Sequence, residues 1–273
     1  MRQTQDMRPI SAIDTVRLCL LSMMQNKLYS FAGIVFKIVV PWEMAESEQF
    51  SSFEVHGAEP DFIIDVNAGR VQDYEHEEDY KHVARDGNII KLLYKPSIAK
   101  KAYPLCILND ADAQALMTEK GAFMLHSSFV LTDGKAIVFS APSGTGKSTQ
   151  AEFWKQERGA EIINGDRTIV SLRDTVFYAN GCFLSGSSGY CKNVTAPIKA
   201  VVLLGQAKVN QARRISGVEP FARILSEVMI DRTSEDRMKN TVELVSKLIS
   251  SVPIIEFNCE LDPNTVEYLE RYL

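Results

Sequence analysis

The sequence predicts an α/β fold: a mixed sheet with flanking helices, preceded by a small, mostly antiparallel β domain. Three observations predict it. A short apolar run at 136–139 (AIVF) reads as a buried strand of a parallel sheet, 199–204 (KAVVLL) as another buried strand and 253–257 (PIIEF) as a last strand. Segments of helical length lie between and after them, at 147–157, 219–229, 234–250 and 263–273. The first half instead carries runs rich in β-branched and aromatic residues, set apart by turn residues.

In order, residues 1–27 read as an extension, with one helix expected over 14–25 from the apolar positions Val16, Leu18, Leu20, Leu21 and Met24. Residues 28–108 make the small β domain. Its expected strands are 31–40 (FAGIVFKIVV), 53–55, 62–66 (FIIDV) and 88–94 (NIIKLLY). The turns between them are marked by Gly57 to Pro60, Asn67 to Gly69 and Asp86 to Asn88. The charged stretch 73–82 (DYEHEEDYKH) holds His76 and His82, which fit either a metal site or a solvated hairpin. Residues 109–273 make the α/β domain. It starts with a linking helix over 109–120, capped by Asp110 or Asp112 and ended by Gly121. A hairpin follows, turning at Thr132-Asp133-Gly134.

The second strand of that hairpin runs into the most informative stretch, KAIVFSAPSGTGKST at 135–149. A buried strand, a loop of small residues and a helix opening on Lys-Ser are the parts of a phosphate-binding loop. A phosphate needs backbone N–H groups converging on it, and a helix N-terminus supplies them with a favourable dipole. Gly144 and Gly146 let the backbone curl around the anion. Lys147 brings a positive charge, and the Ser148 hydroxyl is the expected Mg²⁺ ligand. Ser143, Gly144, Thr145, Gly146, Lys147, Ser148 and Thr149 are the candidate nucleotide-binding residues. Ala141 stands where the strict pattern has its first glycine.

Three further residues are candidates. Asp166 follows a short strand at 161–163, expected to lie parallel beside the loop, where a Mg²⁺-directed carboxylate belongs. His126 lies in the strand before the loop, as a core or a functional histidine. Lys192 is the one charged side chain of the glycine- and serine-rich loop 180–193 (NGCFLSGSSGYCKN), as an anion contact or a solvated lysine. Arg213 and Arg214 sit near the phosphates or on the surface.

Composition limits the alternatives. A net charge of −5 over 273 residues argues against general nucleic-acid binding. Five cysteines, none in a C-x-x-C pair, argue against a disulfide framework or zinc site and fit a reducing compartment. No apolar stretch reaches the roughly 18 residues of a membrane span. The start lacks the ordered parts of a signal peptide, so a cytoplasmic location is expected.

The order of a His-bearing strand (LHSSFV), a hairpin into SAPSGTGKST and a strand ending INGDRTIV resembles the kinase domain of HPr kinase/phosphorylase. That family belongs to the phosphoenolpyruvate carboxykinase-like P-loop group, and its relatives include small kinase-like proteins of peptide natural-product clusters. The resemblance covers about residues 120–260. It implies phosphate binding at Ser143 to Lys147 and metal binding at Ser148. His126 matches the family's active-site-adjacent histidine. Asp166 matches the second of its paired aspartates, and Arg167 the arginine after them. The first aspartate is replaced by Gly165. The family divides metal binding and proton acceptance between the two carboxylates, and one can hardly do both. The resemblance therefore implies a kinase using ATP or GTP and Mg²⁺ on a hydroxyl, a serine of a small protein or peptide. Lys147, Asp166, His126 and Lys192 would be catalytic, with His126 the nearest substitute base. The alternative is a catalytically silent nucleotide-binding regulatory or assembly protein. Carboxykinase chemistry and an NTPase motor fit less well. A homo-oligomer is allowed.

Overall fold

The computed structural model describes residues 25–44, 48–69, 80–230 and 234–273; the expected helix over 14–25 and His76 lie outside them, except for Gln25. The described chain forms two compact units. One holds residues 25–28, 36–44, 56–69 and 80–111; the other holds 29–35, 48–55 and 112–273.

The run expected as one strand over 31–40 is two, β1 (Gln25–Phe31) and β2 (Ile34–Val40). Ala32 and Gly33 turn the chain with φ of 54° and 79°, the left-handed geometry of a tight hairpin. In the first unit β2 pairs with β4 (Phe62–Ala68), β4 with β6 (Ile89–Tyr94), and β6 with β5 (Lys81–Asp86). The first two pairings are parallel and only the last antiparallel, so the expectation of a mostly antiparallel domain is corrected to a mixed sheet. Each parallel pair is joined by more than a dozen residues, the length such a crossover needs. The charged stretch ends in β5, where His82 is half-buried. The Asp110 carboxylate accepts hydrogen bonds from Tyr94, Tyr80 and Lys81, and burial followed by the Asp110 bond raises the Tyr94 pKa. The helix expected over 109–120 is broken into α3 (Pro104–Asp110) and α4 (Ala113–Thr118), after α1 (Glu48–Ser51) and α2 (Pro96–Ala99). The break falls at Asp112, whose φ of 53° leaves the right-handed helical region.

In the second unit β3 (Glu54–Val55) lies next to β1 through a hydrogen bond from the Ser30 N–H to the Phe53 carbonyl. The main sheet is built on β7 (Ala122–Thr132) and β8 (Lys135–Ser140), a hairpin turning at Asp133 and Gly134 with φ of 49° and 69°. Then come α5 (Lys147–Arg158), β9 (Glu161–Asn164), β10 (Arg167–Arg173), β11 (Val176–Asn180), β12 (Thr195–Gln206) and β13 (Gln211–Ile215). The chain ends with α6 (Val218–Glu227), α7 (Glu235–Ser251), β14 (Ile254–Cys259) and α8 (Thr265–Glu270). The strand order is β11-β10-β7-β8-β12-β14-β13, with β9 also on β7 and β11 returning to pair with β12.

Strands β8, β12 and β14 are parallel neighbours, and their apolar runs bury both faces. Ile137 and Phe139 face the side covered by Trp154 of α5 and Val266 of α8; Ala136 and Val138 face the side covered by Ile224 of α6 and Leu248 of α7. Period-two alternation inside an unbroken apolar run thus builds a three-layer sandwich. It also brings the carboxyl ends of the three parallel strands to one edge, where ligands of open α/β sheets bind. No helix among the described residues is long and apolar enough to cross a membrane.

Candidate functional site

The edge is closed by the loop between β8 and α5. Gly144 and Gly146 have φ of 80° and 115°, so both depend on the freedom of glycine. Around the loop lies a cavity of about 280 Å³, lined by Ser143, Gly144, Gly146, Lys147, Ser148 and Thr149. His126, Gly165, Asp166, Ser188 and Leu261 complete the wall. Ten of the eleven lining residues are polar or glycine, so the cavity suits a charged ligand. Of the candidate nucleotide-binding residues only Thr145 does not line it; its N–H donates to the Pro142 carbonyl.

Lys147 is nearly buried at the start of α5, and its ammonium donates to the carbonyls of Ala141 (2.8 Å) and Pro142 (3.2 Å). Burial lowers its pKa from the ordinary lysine value, opposed by the charges of Glu227 and Asp166. The Ser148 hydroxyl lies 3.4 Å from the Gly165 carbonyl, a weak bond that leaves its oxygen open to another partner. The Asp166 carboxylate is one third exposed to the same cavity. A serine hydroxyl and a carboxylate beside a glycine-rich loop at a helix start suit Mg²⁺ held together with a ligand's phosphates.

Asp166 owes its position to a break in the strand. β9 and β10 both pair antiparallel with β7, β9 with its second half and β10 with its first. The sequence expectation of a parallel strand beside the loop is thus corrected: β9 runs in the direction of β8 but is hydrogen-bonded to β7. Gly165 and Asp166 fall in the gap between β9 and β10. The fully buried Asn164 closes it, its Oδ1 accepting from the N–H groups of Asp166 (3.0 Å) and Arg167 (2.9 Å). Its Nδ2 donates to the carbonyls of Cys182 (2.8 Å) and Leu184 (3.1 Å), tying the gap to the loop that follows β11.

That loop folds over the cavity. Phe183 anchors it against Phe31 and Phe50, with ring centroids 4.5 and 5.7 Å apart, and the Gln49 side chain donates to the Phe183 carbonyl. A Cβ on Gly165 would come within 2.1 Å of the Ser188 hydroxyl, and one on Gly186 within 2.6 Å of the Asp166 Cβ. The two glycines are what let the loop reach the acid. Any side chain at 165 would meet Ser188. The loop holds a short 3₁₀ turn, Gly186–Ser188. Cys182, at its base, is buried, which pushes its thiol up to about 12 and leaves it a poor nucleophile.

His126 comes from the middle of β7. Its Nε2 is 3.5 Å from the Asp166 carboxylate, whose other oxygen is 3.3 Å from the Arg167 guanidinium. Its Nδ1 is 2.9 Å from the carboxylate of Glu227, the last residue of α6.

Lys192 does not line the cavity. Its ammonium pairs with Glu161 at 2.7 Å, at the opposite end of β9 from Asp166, and the side chain is about half exposed. Its backbone N–H donates to the Ile163 carbonyl. Arg213 pairs with Glu256 and with Glu219 of α6, and Arg214 donates to the Tyr272 carbonyl past α8, so the two stand on opposite faces of β13 and neither lines the cavity. Among the described residues no group of three or more His, Cys, Asp or Glu is arranged to hold a metal ion. Glu227, Asn164, Ser188 and Leu261 are site residues that the sequence did not reveal. The one hint for Glu227 is its chemistry: an acid in the last turn of a helix sits at the wrong end of the dipole.

No family model matches the chain, and none of the curated proteins does. Among solved structures it superimposes on the Hpr(Ser) kinase/phosphatase from Coxiella burnetii, at 13% identity over 54% of this chain and 93% of that one, with a TM-score of 0.33. A superposition that loose identifies neither fold family nor activity.

Proposed function

We propose that the chain is a phosphotransferase that passes the γ-phosphate of ATP or GTP to a hydroxyl, the serine of a small protein or peptide being the favoured acceptor. One observation carries this. The glycine-rich loop, Lys147, the Ser148 hydroxyl, the Asp166 carboxylate and the His126 imidazole line a single polar cavity of about 280 Å³ at the carboxyl edge of a parallel sheet. The loop is then a P-loop, its N–H groups cradling the phosphates while the Lys147 ammonium swings from the loop carbonyls to the β/γ-phosphates. Mg²⁺ held by Ser148 and Asp166 would neutralise charge on the transferring group. Because Asp166 is committed to the metal, His126 is the group left to accept the hydroxyl proton as the oxygen attacks phosphorus.

A second reading has one observation in its favour. Ser188 fills the space of the absent carboxylate at Gly165, which suits a chain that binds nucleotide and transfers nothing. Incubating the purified protein with γ-³²P-ATP, Mg²⁺ and a lysate of the source cells separates the two. Label on a protein, peptide or small molecule that disappears with Lys147→Ala establishes transfer. Absence of label, together with ATP·Mg²⁺ binding by calorimetry, establishes the silent protein.

The metal role is tested on its own. Asp166→Asn should weaken ATP binding in Mg²⁺ by about tenfold or more and leave binding in EDTA nearly unchanged. Equal effects in the two buffers would remove Asp166 from the metal site.

A further inference from the structure

The least expected member of the site is Glu227. It lies 101 positions from His126 in sequence, on a helix of the opposite layer, with its side chain only 13% exposed. A carboxylate in the last turn of a helix is opposed by the unpaired carbonyls there, and burial makes the opposition worse. The fold nevertheless holds it in place. Val228, the next residue, bridges to Leu125, and the Met229 N–H donates to the Met124 carbonyl. These contacts pin the end of α6 against β7 one residue from His126. The groups facing the imidazole are then Glu227 from α6 and Asp166 from the β9–β10 gap, with the Lys147 ammonium close enough to feel both charges.

The two ring nitrogens are not equivalent. A carboxylate only accepts hydrogen bonds, so the 2.9 Å contact requires the proton on Nδ1. That leaves Nε2 facing the cavity beside Asp166, 3.5 Å from its oxygen.

We propose that Glu227 is the positioning residue of this site: by accepting the Nδ1–H it fixes the tautomer and orientation of His126, presenting the Nε2 lone pair to the acceptor hydroxyl. The inference rests on the phosphotransferase function proposed above. The step balances as follows. The hydroxyl oxygen forms its bond to the γ-phosphorus as the bond from that phosphorus to the β-bridging oxygen breaks. The nucleoside diphosphate leaves with the bond's electrons, and the hydroxyl proton passes to Nε2. Glu227 takes no proton; it holds the ring. The pair thereby supplies, from α6, what the family resemblance places on an aspartate at 165.

The test reads the tautomer directly and needs no acceptor. Protein labelled with ¹⁵N-histidine contains four such residues, and His126→Gln assigns the signal of interest. At about pH 9, where an ordinary imidazole is neutral, two-bond ¹⁵N–¹H correlations should show His126 with its proton on Nδ1. Glu227→Ala should move that proton to Nε2 or mix the two forms. A proton on Nε2 in the unaltered protein, or a tautomer indifferent to Glu227→Ala, overturns the proposal. In the transfer assay Glu227→Ala should lower kcat roughly 10- to 100-fold with KM for ATP within about twofold. The double variant with His126→Ala should be no slower than His126→Ala alone. Additive losses, or a loss confined to KM, also overturn it. Thermal melting should stay level or rise, because a carboxylate leaves the negative end of a helix. If the unaltered protein transfers no phosphate, the phosphotransferase function falls, while the tautomer still decides whether Glu227 sets His126.

Discussion

Replacing Lys147 by alanine is expected to weaken ATP·Mg²⁺ binding by roughly 100-fold, or about 2.7 kcal/mol, the scale of one or two charge-assisted hydrogen bonds. Lys147 is the one Lys or Arg among the residues lining the cavity, and in the structure its ammonium is held by the Ala141 and Pro142 carbonyls rather than by a carboxylate. Those two neutral bonds are easily exchanged for phosphate oxygens, so the lysine is available without breaking an ion pair. Calorimetry against ATP, ADP and AMP gives the check. The loss should be large for ATP and ADP and small for AMP, because the ammonium reaches beyond the α-phosphate. A uniform loss across the three would point to collapse of the loop instead. Lys147→Met separates charge from bulk. It should bind ATP as poorly as the alanine variant while melting within a few degrees of the unaltered protein, since an apolar chain of similar length relieves a buried charge. Nucleotide affinity left intact in Lys147→Met would end the phosphate-binding interpretation of the loop.

Much of this site was legible because its chemistry is local. The residues from Ser143 to Thr149 meet one another through a strand, a turn and a helix start, and each of those has a sequence signature. The place of Asp166 near the loop was legible as well, since the acid follows a short strand soon after the helix that the loop opens. What failed was partner choice. The run 161–163 was expected to lie parallel beside the loop, but its edge is taken by β7, and nothing in EIIN distinguishes those neighbours. The β domain over 28–108 was expected to be mostly antiparallel, although more than a dozen residues separate β2 from β4 and β4 from β6, too many for a hairpin. Strand composition carries no information on direction; connection length does. Lys192 stands out in sequence as the lone charge of a glycine- and serine-rich loop, and its partner, Glu161 at the start of β9, has no fixed spacing from it. Glu227 carries only the hint of an acid at the wrong end of a helix, because its partner comes from another layer and has no fixed spacing from it.

The loop over the cavity depends on a residue that carries no chemistry of its own. Asn164→Ala is expected to destabilise the protein by about 3 kcal/mol, since it deletes four hydrogen bonds worth roughly 0.5–1.5 kcal/mol each and strands buried backbone groups. That corresponds to a melting temperature lower by about 6–12 °C. Function should suffer more than the melting curve indicates. The amide oxygen fixes the N–H groups of Asp166 and Arg167, and the amide nitrogen fixes the carbonyls on which the Ser188 loop hangs. Without it the carboxylate loses its bearing on Ser148 and His126 together. Asn164→Asp is the sharper probe. It preserves shape and the two accepted bonds but sets a carboxylate oxygen against the Cys182 and Leu184 carbonyls. If the loop and the metal site are coupled through this side chain, Asn164→Asp should lose Mg²⁺-dependent ATP affinity at 15 °C, well below its own unfolding, while affinity in EDTA holds. An aspartate variant that binds ATP·Mg²⁺ normally while folded would show that Asp166 is positioned by the strand break alone and that the Ser188 loop closes independently.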